Sequence, residues 1–137
     1  MFELFTYDKV TDEIVIDNPY LFTIPEFKKL WMRVNKIKGD SDGRNKLHNK
    51  REFMYVFYME NLSKKNPYRV LEEDLRHKES LQSCELEVGY KPDEIVIKCR
   101  EIYRMMILEF TPTLKFLVQL EQTIMQVARQ VELIKSE

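Results

Sequence analysis

The feature that most constrains this chain is an apolar stripe near its C-terminal end. Leu117, Leu120, Ile124, Val127, Val131 and Ile134 recur at intervals of three, four, three, four and three residues. Apolar residues at that spacing fall on one side of an α-helix and repeat as a coiled-coil seam does, for about two and a half heptads. Gln119, Glu121, Gln122, Gln126, Arg129, Gln130 and Glu132 cover the outside. A helix of this kind has to bury its stripe. It either closes the chain's own core or packs against identical copies, and the spacing is compatible with both.

The rest of the chain reads as shorter helices with a β element in front. Residues 2–7 and 13–16 are predicted strands joined by polar residues 8–12, and such a hairpin has to lie on something else to be stable. Thr23 is a predicted N-cap and Pro25 suits a first helical turn. Phe27, Leu30, Trp31, Val34 and Ile37 then share a face. The loop Gly39–Gly43 ends that helix. The run Phe53 to Met59 is ambiguous by period, but a helix from about Asn45 to about Leu62 gives it adequate length and makes it central to the core. Glu72, Glu73 and Asp74 open the next helix, with Glu72–Arg76 and Asp74–Lys78 at ion-pair spacing. Gly89 and Pro92 mark a break. Asp93, or the residue before it, caps a helix carrying Ile95, Val96, Cys99, Ile102, Tyr103 and Met106, and Thr111-Pro112-Thr113 kinks or ends it.

These elements predict a mainly α fold: a small helical bundle with a short N-terminal β-hairpin or arm and a long C-terminal helix. With 137 residues the chain is long enough for one domain. The expected division is a β arm over 1–22 and a helical body over 23–137.

Apolar residues make up 44% and charged residues 33%, with a net charge of −1. That composition allows a core and gives no general attraction to nucleic acid or anionic membrane. No secretory leader pattern opens the chain and no apolar run approaches a membrane span, so a cytoplasmic site of folding and no membrane partner are expected.

Few residue patterns point to chemistry. Asp40-Ser41-Asp42-Gly43 resembles part of a calcium loop, but with Gly43 in the sixth place Lys38 and Asn49 would stand where carboxylates are needed. An acidic turn is the expectation. His48 and His77 lack a second histidine at helical spacing, and Cys84 and Cys99 form no close pair, so no zinc site is expected. His77 is expected on a solvated face and the cysteines as small apolar residues. Glycine occurs only three times, and neither a phosphate-cradling loop nor a nucleophile elbow is present. A non-enzymatic protein without a cofactor is expected. Arg44, Lys46, Lys50 and Arg51, with Phe53 and Tyr55 nearby, leave open a charge-plus-stacking contact with nucleic acid or an acidic surface.

One segment resembles a known family. Tyr55-Val56-Phe57-Tyr58-Met59, then Asn66-Pro67-Tyr68, then Glu72-Glu73-Asp74-Leu75-Arg76, is similar to a pattern in small virion structural proteins of tailed bacteriophages, including crAss-like and other large phages. There an aromatic helix leads to a Ser-Pro-Tyr turn and an acidic helix start containing an arginine. Asn66 stands in the serine's place and can do the same turn and capping work. The resemblance covers roughly residues 45–85. It implies a virion component in the portal-vertex collar, head–tail connector or tail. Its partners would be other virion proteins, and a homo-oligomeric ring is the expected assembly. By residue type, Pro67 would fix the turn, Tyr68 would anchor it on the core, and Arg76 would pair with Glu72 or a neighbouring carboxylate. The alternative is a small regulatory adaptor or nucleic-acid-binding protein acting during infection through Arg44, Lys46, Lys50 and Arg51.

Overall fold

A computed structural model describes residues 4–8, 10–11, 13–16, 18–110 and 112–135. In chain order the elements are β1 (Thr6–Asp8), β2 (Glu13–Val15), a 3-10 turn (Pro19–Thr23), α1 (Pro25–Met32), α2 (Leu47–Glu60), α3 (Glu73–Ser83), α4 (Glu94–Phe110) and α5 (Pro112–Lys135). The fold is mainly helical, as the spacing of apolar residues requires.

The ambiguous aromatic run is helical and lies at the centre. Phe53, Tyr55, Val56, Phe57, Tyr58 and Met59 are all buried, so α2 is covered on every side over its second half. Helices α1, α3 and α4 pack against it. From α4 come Val96, Cys99 and Tyr103, on the face read from the sequence.

The expected β arm over residues 1–22 is corrected. Among the described residues pairing covers three residues on each side, with Thr6 opposite Val15 and Asp8 opposite Glu13. That is too short a ladder to stand alone. Leu4 and Phe5 instead belong to the helical core. The Phe5 ring lies 5.0 Å from Tyr103, 5.7 Å from Phe53 and 6.0 Å from Phe27, measured between ring centres. Edge-to-face contacts of this kind add to the ordinary gain from burying an aromatic ring. Phe2, Glu3, Lys9, Asp12 and Thr111, which the sequence assigned to a strand, a connection or a break, lie outside the described residues, as do Met1, Asp17 and residues 136 and 137.

Helix α1 is shorter than its apolar spacing predicts. It starts at Pro25 after Ile24, without the Thr23 side-chain cap; the Thr23 hydroxyl instead donates to the Tyr20 carbonyl at 2.7 Å. It stops at Met32, leaving Val34 exposed and Ile37 bridged to Asp40. The cause is Asn49, a buried residue of α2. Its amide donates to the carbonyls of Leu30, Trp31 and Arg33 at 2.8, 2.9 and 3.0 Å. These oxygens have no partner inside α1, and a buried orphan carbonyl is costly. One side chain thereby terminates α1 and fixes it to α2.

The acidic turn also has a structural use. Asp40 is buried, and its two carboxylate oxygens accept from the backbone N–H groups of Asn45 and Leu47, each at 3.2 Å. The carboxylate thus sits at the start of α2, where the helix dipole favours negative charge. Gly43 takes a positive φ of 71°, and a Cβ there would come within 3.0 Å of the Asn35 carbonyl oxygen.

Asn49→Ala is expected to destabilise the fold by about 2 kcal/mol, the cost of stranding buried carbonyls. Val88→Ala, at a side chain open to solvent, should change stability by less than about 0.5 kcal/mol. Urea denaturation of the two variants measures both.

Candidate interaction surface

Helix α5 places its two faces in the opposite sense to an ordinary surface helix. The six stripe residues Leu117, Leu120, Ile124, Val127, Val131 and Ile134 are all exposed, from 43% at Val131 to 71% at Ile134. Of the two burial modes left open by the sequence, closure of the chain's own core is therefore not the one used. Phe116, at 63% exposure, extends the apolar surface beside the stripe.

The side of α5 turned toward the body is mostly polar, with Met125 as an apolar exception. Glu121 pairs with Arg69 at 3.4 Å, and Arg129 pairs with Glu72 at the start of α3. Gln119 and Gln122 face a cavity of about 180 Å³ whose other walls include Glu60, Arg76, Arg100 and Arg104. Exposed ion pairs are individually weak. The seam nevertheless matches charge to charge, and its two glutamines face a cavity that arginines also line.

Glu60 is the buried centre of this seam. Arg100 approaches its carboxylate at 3.0 Å and Arg104 at 3.7 Å. Burial pushes the Glu60 pKa above the usual carboxylate range, with Arg100 and Arg104 pulling the other way. Arg100 also pairs with Glu73 at 3.1 Å and lies 5.8 Å from the centre of the Tyr55 ring. Burial raises the Tyr55 hydroxyl to about 12.

The residues of the Asn-Pro-Tyr motif form a structural joint. Asn66 is fully buried. Its amide donates to the carbonyls of Tyr58 and Asn61 at 2.8 Å, and its oxygen accepts from the Tyr68 N–H at 3.0 Å. It closes the end of α2 much as Asn49 closes the end of α1. Pro67 sits exposed on the turn. Tyr68 packs against Tyr58, and its hydroxyl shares a 2.5 Å hydrogen bond with Ser83. The expected Glu72–Arg76 pair does not form. Arg76 donates to the carbonyls of Met59 and Leu71 at 2.9 and 2.6 Å, and Glu72 turns to Arg129 on α5. The free carbonyls at the end of α2 and before α3 outcompete a solvated carboxylate for the guanidinium.

The basic segment is held in part, through Lys46 and Arg51, while Arg44 makes only an exposed pair. Arg44 pairs with Asp42 at 3.6 Å, the Lys46 ammonium donates to the Arg33 carbonyl at 3.0 Å, and Arg51 pairs with Glu85 at 3.3 Å. Lys50 is exposed. Phe53 and Tyr55 are buried in the core and cannot stack on a base. His77 is not on a solvated face as expected: its Nδ1 lies 2.7 Å from the Tyr55 hydroxyl. Cys84 and Cys99 are buried and unpaired. Burial raises both thiols, Cys99 to about 12, so neither is a thiolate near neutral pH. Among the described residues no cluster of three or more His, Cys, Asp or Glu side chains is placed to hold a metal, and no helix is long and apolar enough to cross a membrane.

Comparison with family models, curated proteins and solved structures gave no match. The site therefore has to be read from its own geometry. The stripe was legible from its spacing. The ionic seam was not, because it joins residues such as Arg69 and Glu121 that are 52 positions apart. The only local hint was the row of polar residues opposite the stripe.

The raised Glu60 pKa predicts a pH effect. Its folded value lies above its unfolded value, so its contribution to stability is fully present below the unfolded pKa and is lost as pH rises through the folded pKa. Wild type should therefore gain stability relative to Glu60→Gln as pH falls from neutral to the unfolded glutamate value of about 4. Urea titrations of both proteins at the two pH values check this, and an unchanged difference would contradict it.

Proposed function

We propose that the chain is a non-enzymatic structural subunit of a tailed-phage virion, forming a ring or connector layer at the head–tail junction through protein–protein contacts. The observation that carries this reading is the outward stripe of α5. An apolar surface of this length on a folded chain marks a contact with another macromolecule. The Tyr55–Met59, Asn66–Tyr68 and Glu72–Arg76 segments supply the link to phage virion proteins, since their resemblance to that family is carried by residues at the α2–α3 joint. That joint is rigid, with Asn66, Tyr68 and Arg76 all hydrogen-bonded to their surroundings. Rigidity is what a subunit needs if its partners are to meet it in a fixed geometry.

The rival reading, a regulatory adaptor that binds nucleic acid through Arg44, Lys46, Lys50 and Arg51, has less behind it. Three of those side chains already have partners within the chain. Its signature would be binding that weakens steeply with added salt in a gel-shift assay.

Mass spectrometry of purified particles, with negative-stain microscopy of the same preparation, tests the leading reading. Peptides of this chain should be present in mature virions. Their absence from intact particles would remove the proposal.

A further inference from the structure

Resting on the reading of α5 as a contact surface, we infer that its occupant is the same helix of two further copies, in a parallel three-stranded left-handed coiled coil. The first argument is period. With Leu117, Ile124 and Val131 at the first core position of each heptad, Leu120, Val127 and Ile134 fall at the fourth. A strict seven-residue repeat keeps a seam facing an equal helix, whereas a partner of irregular shape imposes no such period.

The second argument is side-chain shape. Two-stranded parallel coils favour β-branched residues at the first core position and leucine at the fourth, while isoleucine at both shifts the preference to assemblies larger than two. Here the last two heptads carry Ile124 with Val127 and Val131 with Ile134, β-branched throughout. Three identical chains related by a closed rotation have identical surroundings only if their helices run parallel.

The third argument is space and charge. The α5 residues that line cavities against the body are Gln119, Gln122, Met125, Gln126 and Arg129. All five lie on the side away from the seam, and Glu121, which pairs with Arg69, is a contact with the body at a position flanking it, so three bodies can sit outside a central bundle. Flanking the seam are Phe116, Thr123 and Gln130 on one side and Glu121, Ala128 and Lys135 on the other. In a parallel assembly Phe116 meets Glu121, Thr123 meets Ala128 and Gln130 meets Lys135 of the next copy. No like charges are brought together, and the apolar Phe116 and Ala128 fall where a three-stranded coil buries more surface than a pair does.

Sedimentation equilibrium of the full chain tests the inference. The mass should be about three times the 16.6 kDa of one chain. Ile124→Asp should reduce it to that of one chain while the near-ultraviolet circular dichroism of the α1–α4 body is kept, since Ile124 is exposed within its own chain. Val127→Leu combined with Ile134→Leu, which places leucine at every fourth core position, should give a folded assembly of two. A wild-type mass of one or two chains overturns the inference, as does a threefold mass that survives Ile124→Asp or the paired leucine change. A threefold assembly absent from virions would defeat the functional proposal alone. A virion protein with any other intrinsic stoichiometry would defeat this inference alone.

Discussion

The structure depends on the burial of the second half of α2 on every side. Seven consecutive apolar side chains, Phe53 to Met59, leave no face of this stretch that can be given to water. Helices α1, α3 and α4 and the Leu4-Phe5 segment are the elements that enclose it. Such an enclosure forces helix ends and loop backbone into dry surroundings, where each polar group needs a partner. Asn49 and Asn66 provide for the ends of α1 and α2, Asp40 for the start of α2, and Arg76 for the carbonyls of Met59 and Leu71.

Once α2 is enclosed, the surface beside α3 and α4 that meets a fifth helix carries many charges: Arg69, Glu72, Glu73, Arg100 and Arg104 lie around the buried Glu60, with Leu62, Val70, Leu71 and Leu108 between them. Helix α5 meets that surface with its own mostly polar side. Its amphipathic pattern then leaves the apolar side facing outward. The outward stripe and the polar seam are thus two consequences of one division of residues, and the interaction surface follows from how the core is closed.

Much of this was legible in the sequence. The 3-4 spacing gave the face and extent of α5, the length of the Asn45–Leu62 segment resolved the aromatic run as a helix, and Asp93 caps α4 through the N–H groups of Ile95 and Val96. Most of the errors share a cause. Local rules put a cap at Thr23, continued α1 to Ile37, paired Glu72 with Arg76 and solvated His77. The Thr23 hydroxyl turned to the nearby Tyr20 carbonyl; in the other three cases a group from another element outweighed the local preference: Asn49 at the end of α1, the Met59 carbonyl for Arg76, and Tyr55 for His77. The hairpin was over-extended because Leu4 and Phe5 read as strand residues by type, while their burial depends on α1, α2 and α4. Period also could not tell which way the α5 stripe points, since an inward and an outward stripe have the same spacing.

The direction in which α5 faces is the claim on which the account turns, and thiol accessibility measures it directly. Cys84 and Cys99 are buried and should stay silent to a thiol reagent. A cysteine placed at Ile124 should react fast at high dilution and progressively slower as the protein is concentrated. One placed at Gln122, against the body, should react more slowly than the diluted Ile124→Cys protein and without regard to concentration. The opposite pattern, with position 124 protected in the most dilute sample and position 122 open, would mean that the stripe packs on its own chain.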